Sequence, residues 1–470
     1  MRIAYFVSNY EIGLLILYWI DTLLKLLYTT WFNRMMFYMI SVMLATHFIH
    51  PHLRNHAIIS GLLYFPSSFI CMFVTEVDGV LWFVLAALPI INTVILLKFG
   101  RFEVIDPTGP YGVGHKFETI ETKTGNILCS IFYPIDKEEY DNGKDDPKKN
   151  IGWFGLGSKG LSTVSKLFES NSIFEQDITT YRIACVKDAD LHKDFSTKSK
   201  KLTPVISSHG LMSSRNRLSG ITSEMASQGC IVLCLDHTDG SSFSYCDENE
   251  EEVGQFEDYD KEVHKCKENE YRAQQLDTRM QDIEKLLDFA KENFPDDKWN
   301  IEWDHLVAFG HSFGGISAVE MCQKFPENFK ICIALDPYYM PRYKEIEGEQ
   351  NYCVKQPLLL LNSEFFYKDK SGPVAITEFD GIKCGDKLFK DSKTASGGEQ
   401  NHNITIKGTG HSDMCDERLY YYNVFKKFGH CVGENIYEVF ISAVLAYMGE
   451  TGYLPVKYPK SLDQVVKQYV

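Results

Sequence analysis

Two hydrophobic patterns divide the chain. Across residues 12–32, 35–50, 57–75 and 79–99 apolar positions follow one another with few breaks. Stretches without a polar face read as helices surrounded by lipid rather than as one side of a soluble helix. The runs at 57–75 and 79–99 approach the roughly 20 residues that cross a bilayer, and 35–50 is shorter. The run at 12–32 holds Asp21 and Lys25 four apart, so it reads either as a span with an internal ion pair or as an amphipathic interfacial helix. A helical transmembrane region of three or four spans is therefore expected over 1–100. With four, the sparse basic residues Arg2, Arg54, Lys98 and Arg101 face the cytosol, which predicts an integral membrane protein with a cytosolic C-terminal domain.

From about residue 101 the pattern changes to short apolar runs alternating with helical periodicity. Strands are predicted at 126–133 (ended by Pro134), 205–208, 230–235, 306–309, 331–335, 358–361 and 404–406. Helices are predicted at 218–227, around 436–448, and through Leu276, Met280, Ile283, Leu287 and Ala290, which recur at spacings of four and three. Continuous apolar strands between helices indicate an α/β domain over 101–470, its mostly parallel sheet covered on both faces. The charged stretch 136–149 reads as a solvated loop, 247–262 as a mobile acidic insertion, and 362–402 as a long loop.

Charge narrows the partners. Only five of the 48 Lys/Arg and four of the 63 Asp/Glu fall in the first hundred residues, so the remainder is strongly acidic. No basic stripe is present, which argues against nucleic acid. The 13 cysteines lack paired spacing, which suggests free thiols rather than a disulfide framework or a zinc site. No metal or other cofactor is expected.

The candidate chemistry centres on Gly310-His311-Ser312-Phe313-Gly314, between a predicted strand and a run that can continue as a helix. This is the nucleophile-elbow pattern, in which the turn leaves room only for glycine on either side of a serine. A serine hydroxyl needs a histidine to take its proton and a carboxylate to hold that histidine. Asp336 ends the strand after the elbow, and His411 lies in a small-residue loop after the last strand. Their bland alternatives are a strand-ending turn aspartate and a structural histidine. The order Ser312, Asp336, His411 is that of an α/β-hydrolase. The backbone N–H groups of Phe313 and Leu211 are the candidate oxyanion donors, with His209 bracing the Leu211 loop.

These residues carry a family resemblance. Gly310-His311-Ser312-Phe313-Gly314-Gly315, with Ala334-Leu335-Asp336 and His209-Gly210-Leu211, resembles the plasma and type II platelet-activating-factor acetylhydrolases. Echoes occur at Gly109-Pro110-Tyr111-Gly112-Val113-Gly114, Tyr133-Pro134, Ala226-Ser227-Gln228-Gly229 and Asp236-His237-Thr238-Asp239-Gly240-Ser241. The resemblance implies a calcium-independent serine esterase of phospholipase A2 type. Such an enzyme removes short or oxidised sn-2 acyl chains from phospholipids through an acyl-enzyme on Ser312. Met212 departs from the pattern, because a glycine typically follows His-Gly-Leu there. The apolar N-terminal region is not part of the family core.

A phospholipid substrate sits in a bilayer, so an interfacial element is expected. Trp153, Phe154, Leu161 and Phe168 offer either a membrane-touching lid or an ordinary helix packed on the sheet. Two alternatives accompany the phospholipid reading. One is a carboxylesterase or lipase for another ester. The other is a membrane protein that binds lipid or a partner and carries a weakly active hydrolase domain.

Overall fold

The computed structural model describes residues 104–153, 182–416 and 436–470, except 123–124, 147, 244, 247–251, 255, 349–351 and 369–378, together with 2–4 and 16. Apart from Ile16, the expected spans lie outside the described residues. Among the described residues no helix is long and apolar enough to cross a membrane. The helix Glu268–Asn293 is long but amphipathic, and Ile436–Thr451 is apolar but only 16 residues. The expected integral membrane protein, held at a bilayer by N-terminal spans with a cytosolic catalytic domain, is corrected on that finding.

Nine strands form one sheet: β1 (Gly112–Glu121), β2 (Asn126–Ile135), β3 (Val186–Lys187), β4 (Thr203–Ser208), β5 (Cys230–Asp236), β6 (Leu306–His311), β7 (Phe329–Leu335), β8 (Leu358–Ser363) and β9 (His402–Ile406). Their order is β9-β8-β7-β6-β4-β5-β2-β1-β3. Only β2 runs against the rest, paired antiparallel with both β1 and β5. This mostly parallel sheet with one reversed strand near an edge is α/β-hydrolase-like.

β4, β5 and β6 are buried along their whole length, so both faces need cover. The helices α1 (Ser219–Ser227) and α5 (Ile436–Thr451) pack together, as do α2 (Glu268–Asn293) and α3 (Phe313–Lys324). Pro134 does not end β2 as expected. Pairing with β5 stops at Phe132, so the missing Pro134 N–H breaks no ladder bond on that side.

Two predicted loops contain helices. Within 136–149, Lys137–Gly143 is helical, capped by the Asp136 side chain and anchored by buried Tyr140, whose hydroxyl donates to Asp106 at 2.7 Å. Within 362–402 lies α4 (Gly381–Ser396), capped by Asp380. The described part of 247–262 contributes one strand of the hairpin Tyr245–Cys246/Glu252–Gly254 and the start of the turn of helix Lys261–His264.

Two of the motif echoes meet in space. Gly109 N–H donates to the Ser227 hydroxyl at 3.1 Å, and Tyr111 N–H donates to the Ser227 carbonyl at 3.2 Å. A Cβ on Gly109 would lie 2.1 Å from that carbonyl oxygen, so glycine is required for the approach.

Candidate active site

Parallel strands deliver their C-terminal ends to one edge of the sheet, and the candidate residues lie there. Ser312 follows β6 and opens α3 with φ 60° and ψ −118°, a conformation L-residues rarely adopt. Strain of this kind is of order 1–3 kcal/mol and persists where the surroundings enforce it. A Cβ on Gly310 would lie 2.1 Å from the Gly314 carbonyl oxygen, and one on Gly314 would lie 1.8 Å from that of Ser208. Neither position admits a side chain. The elbow is stitched to the end of β7: Ser312 N–H donates to Leu335 O, and Tyr338 N–H donates to Ser312 O, each at 2.8 Å.

Asp336 follows β7 with φ 40°, in the left-handed region that aspartate tolerates better than most residues. Its buried carboxylate accepts the Ser363 N–H at 2.6 Å and also the Ser363 hydroxyl. His411 Nδ1 lies 2.9 Å from Asp336 Oδ2. Burial raises the Asp336 pKa to about 6, opposed by the Ser363 donors. Burial and then the Arg217 charge push His411 below the usual histidine range. Its side chain keeps 27% exposure, so burial acts on it less completely than on His311.

The His411 ring is held between two others. Phe366 stacks on it at 3.7 Å and 8°, and His311 lies at 4.3 Å and 31°. Rings that close and nearly parallel cannot share one face without overlapping. His311 Nε2 is 3.2 Å from the His411 carbonyl oxygen, which tethers the loop backbone as well. Phe366 was not foreseen, since nothing near it marks an aromatic as a support for a distant histidine. Among the described residues, Ser312 Oγ forms no hydrogen bond to His411. Such bonds are often long without substrate.

The loop carrying His411 is anchored by a buried carboxylate. Asp416 accepts from Trp153 Nε1 at 2.9 Å, from Gly220 N–H at 3.1 Å, and from the hydroxyls of Ser219 and Tyr437. Asp416 thus ties the loop to α1 and α5, and Trp153, 1% exposed, packs its indole N–H on the same carboxylate. This corrects its reading as a membrane-touching residue: its indole is spent on a buried hydrogen bond. Phe154, Leu161 and Phe168 lie outside the described residues.

Neither Leu211 nor Phe313 spends its N–H on an internal hydrogen bond among the described residues. Gly210 abuts the elbow, where a Cβ would lie 3.1 Å from Ser312 Cβ. Met212 adopts φ 53°, which explains why a glycine suits that place. It is held there by Met212 N–H to Ser241 O at 2.8 Å and Arg217 Nη1 to Met212 O at 3.3 Å.

Beneath the elbow lies buried Arg279 of α2. Its Nε donates to Asp239 at 2.7 Å, its Nη1 donates to the His209 carbonyl at 2.7 Å, and its guanidinium sits 4.0 Å from the Phe313 ring centroid. Arg279 and Asp282 were missed because charged residues on a long helix read as its solvent face.

Fold and site together define the class, an α/β serine hydrolase. The family model for platelet-activating factor acetylhydrolase, isoform II, matches residues 97–461, and the chain belongs to that family. Platelet-activating factor acetylhydrolase of Canis lupus familiaris is 25% identical over 66% of this chain and 67% of its own length. That of Bos taurus is 26% identical over 68% and 69%. Among solved structures, a ferulic acid esterase from Streptomyces cinnamoneus aligns with a TM-score of 0.49 at 15% identity, covering 74% of this chain and 92% of that one.

Proposed function

We propose that the protein hydrolyses short or oxidised sn-2 acyl esters of phospholipids through an acyl-enzyme on Ser312. The observation that carries this reading is the convergence of Ser312, Asp336 and His411 beyond the C-terminal ends of β6, β7 and β9, with His411 Nδ1 on Asp336 at 2.9 Å. In the reaction, His411 Nε2 takes the Ser312 proton as Oγ attacks the ester carbonyl, and Asp336 holds the tautomer and stabilises the imidazolium. The N–H groups of Leu211 and Phe313 receive the developing oxyanion. His411 then protonates the lysophospholipid alkoxide. Water, deprotonated by the same imidazole, releases the acyl group. The family membership and the name shared by the relatives support the substrate class, since platelet-activating factor carries an sn-2 acetyl ester.

The test compares kcat/KM for sn-2 acetyl and sn-2 long-chain phosphatidylcholine with that for p-nitrophenyl acetate. A preference for the sn-2 acetyl lipid over its long-chain analogue, with Ser312→Ala inactive, is expected. Turnover of the soluble ester with neither lipid hydrolysed defeats the phospholipid assignment.

A further inference from the structure

A second Ser–His–Asp chain lies behind the first, fully buried. Ser208 Oγ is 2.8 Å from His237 Nε2, and His237 Nδ1 is 3.2 Å from Asp282 Oδ2. No substrate reaches these groups, so the arrangement has no use as a nucleophile. Its hydrogen-bond order can be worked out instead. Burial raises the Asp282 pKa to about 7, but Thr238 N–H donates to its Oδ2 at 2.9 Å and the Thr238 hydroxyl to its Oδ1 at 2.8 Å. These donors favour the carboxylate, which as an acceptor puts the His237 proton on Nδ1. His237 Nε2 then accepts from the Ser208 hydroxyl, whose free lone pair receives Arg279 Nη1 at 3.2 Å.

The same logic fixes His209. Its Nε2 accepts the His237 backbone N–H at 3.2 Å, so its proton is on Nδ1 and is donated to the Gly210 carbonyl at 2.7 Å. That carbonyl belongs to the Gly210–Leu211 peptide, the unit whose N–H is the candidate oxyanion donor. In a trans peptide the C=O and N–H point in opposite directions. Holding the carbonyl against His209 therefore aims the Leu211 N–H away from it.

We propose that His209, backed by His237, Asp282 and Ser208, is a positioning relay that locks the Gly210–Leu211 peptide with its N–H presented to the oxyanion of the Ser312 reaction. The relay rests on the reading of Ser312 and Leu211 given above. A flip of this one peptide would replace a donor with a carbonyl oxygen facing the developing charge. His209 touches no reacting atom, so it acts on kcat and leaves ground-state binding alone.

The test uses the full chain with p-nitrophenyl acetate, reading kcat, KM and melting temperature, plus the affinity of a trifluoromethyl ketone that forms an oxyanion on the serine. His209→Leu should lower kcat about a hundredfold with KM nearly unchanged, the size of one lost oxyanion donor. Ketone affinity should fall in parallel. His209→Asn, whose amide can reach the same carbonyl, should restore kcat to within about tenfold of wild type. Asp282→Asn keeps an oxygen on both Thr238 N–H and His237 Nδ1 and should stay near wild type, whereas Asp282→Leu removes that acceptor at similar volume and should lower kcat with KM nearly unchanged. Asp282→Leu decides the matter should His209→Leu fail to fold. Equal losses in His209→Leu and His209→Asn, or wild-type kcat in Asp282→Leu, overturn the relay while Ser312→Ala stays inactive. Activity surviving in Ser312→Ala overturns the underlying reading, and the relay with it.

Discussion

Asp336→Asn isolates what the buried carboxylate does, because it changes one atom. Asp336 accepts from Ser363 N–H through Oδ1, and from the Ser363 hydroxyl and His411 Nδ1 through Oδ2. An asparagine keeps the first contact by placing its oxygen on Ser363 N–H, and its amide then faces His411. Nδ1 must become an acceptor, so the ring proton moves to Nε2, the position that has to be free to take the Ser312 proton. A wrong tautomer at this position costs about 10⁴-fold in kcat. That corresponds to about 5 kcal/mol of barrier. The buried volume is unchanged, so the melting temperature should shift by only a few degrees. The assay is p-nitrophenyl acetate hydrolysis by purified wild type and variant at pH 7.5, alongside thermal unfolding. A variant within tenfold of wild type would refute the reasoning and send the search for the acid elsewhere.

Three further outcomes follow from the same geometry. The candidate base must be unprotonated, and His411 is held below the usual histidine range, so kcat/KM should keep its plateau below pH 6.5; an acid limb at or above pH 7 contradicts this. His115 is buried with neither ring nitrogen hydrogen-bonded among the described residues, and burial lowers its pKa to about 3. Its contribution to stability is intact above the unfolded value near 6.5 and is lost as pH falls toward the folded value, so His115→Leu should stabilise by about 2 kcal/mol more at pH 5 than at pH 7.5 in urea unfolding; equal gains at both pH values would count against a buried neutral histidine. Met212 sits at φ 53°, so Met212→Gly should leave stability equal or higher while Met212→Val costs about 2 kcal/mol. The reverse ranking by thermal melts would show that the loop relaxes out of the left-handed conformation.

How much was readable in the chain depended on which face of an element carried the information. The runs around Val205, Ile231, Val307, Ile333 and Leu360 are apolar without alternation, as strands buried on both faces must be, and they read directly as the sheet. Ser312 and Asp336 stood out as candidates because each closes such a strand, and His411 because its small-residue loop follows the half-buried last strand. Buried polarity was not legible. Arg279 and Asp282 lie among charged residues of α2, and only the fold reveals that they face inward beneath the elbow. Asp416 and Phe366 act on the His411 loop through long-range contacts that no local pattern encodes. The helix Lys137–Gly143 hid in a charged stretch because one buried tyrosine is its only large apolar anchor. The apolar runs of the first hundred residues lie, apart from Ile16, outside the described residues. Hydropathy alone favoured spans, and no membrane-crossing helix exists among the described residues.

The central claim is that Ser312 is the nucleophile activated by His411. Its most direct measurement is peptide mass spectrometry after brief treatment of folded protein with a fluorophosphonate probe. The account predicts a single adduct on Ser312, strongly slowed in His411→Ala and absent after heat denaturation. Labelling at another serine, or labelling of Ser312 at the wild-type rate in His411→Ala, would contradict it.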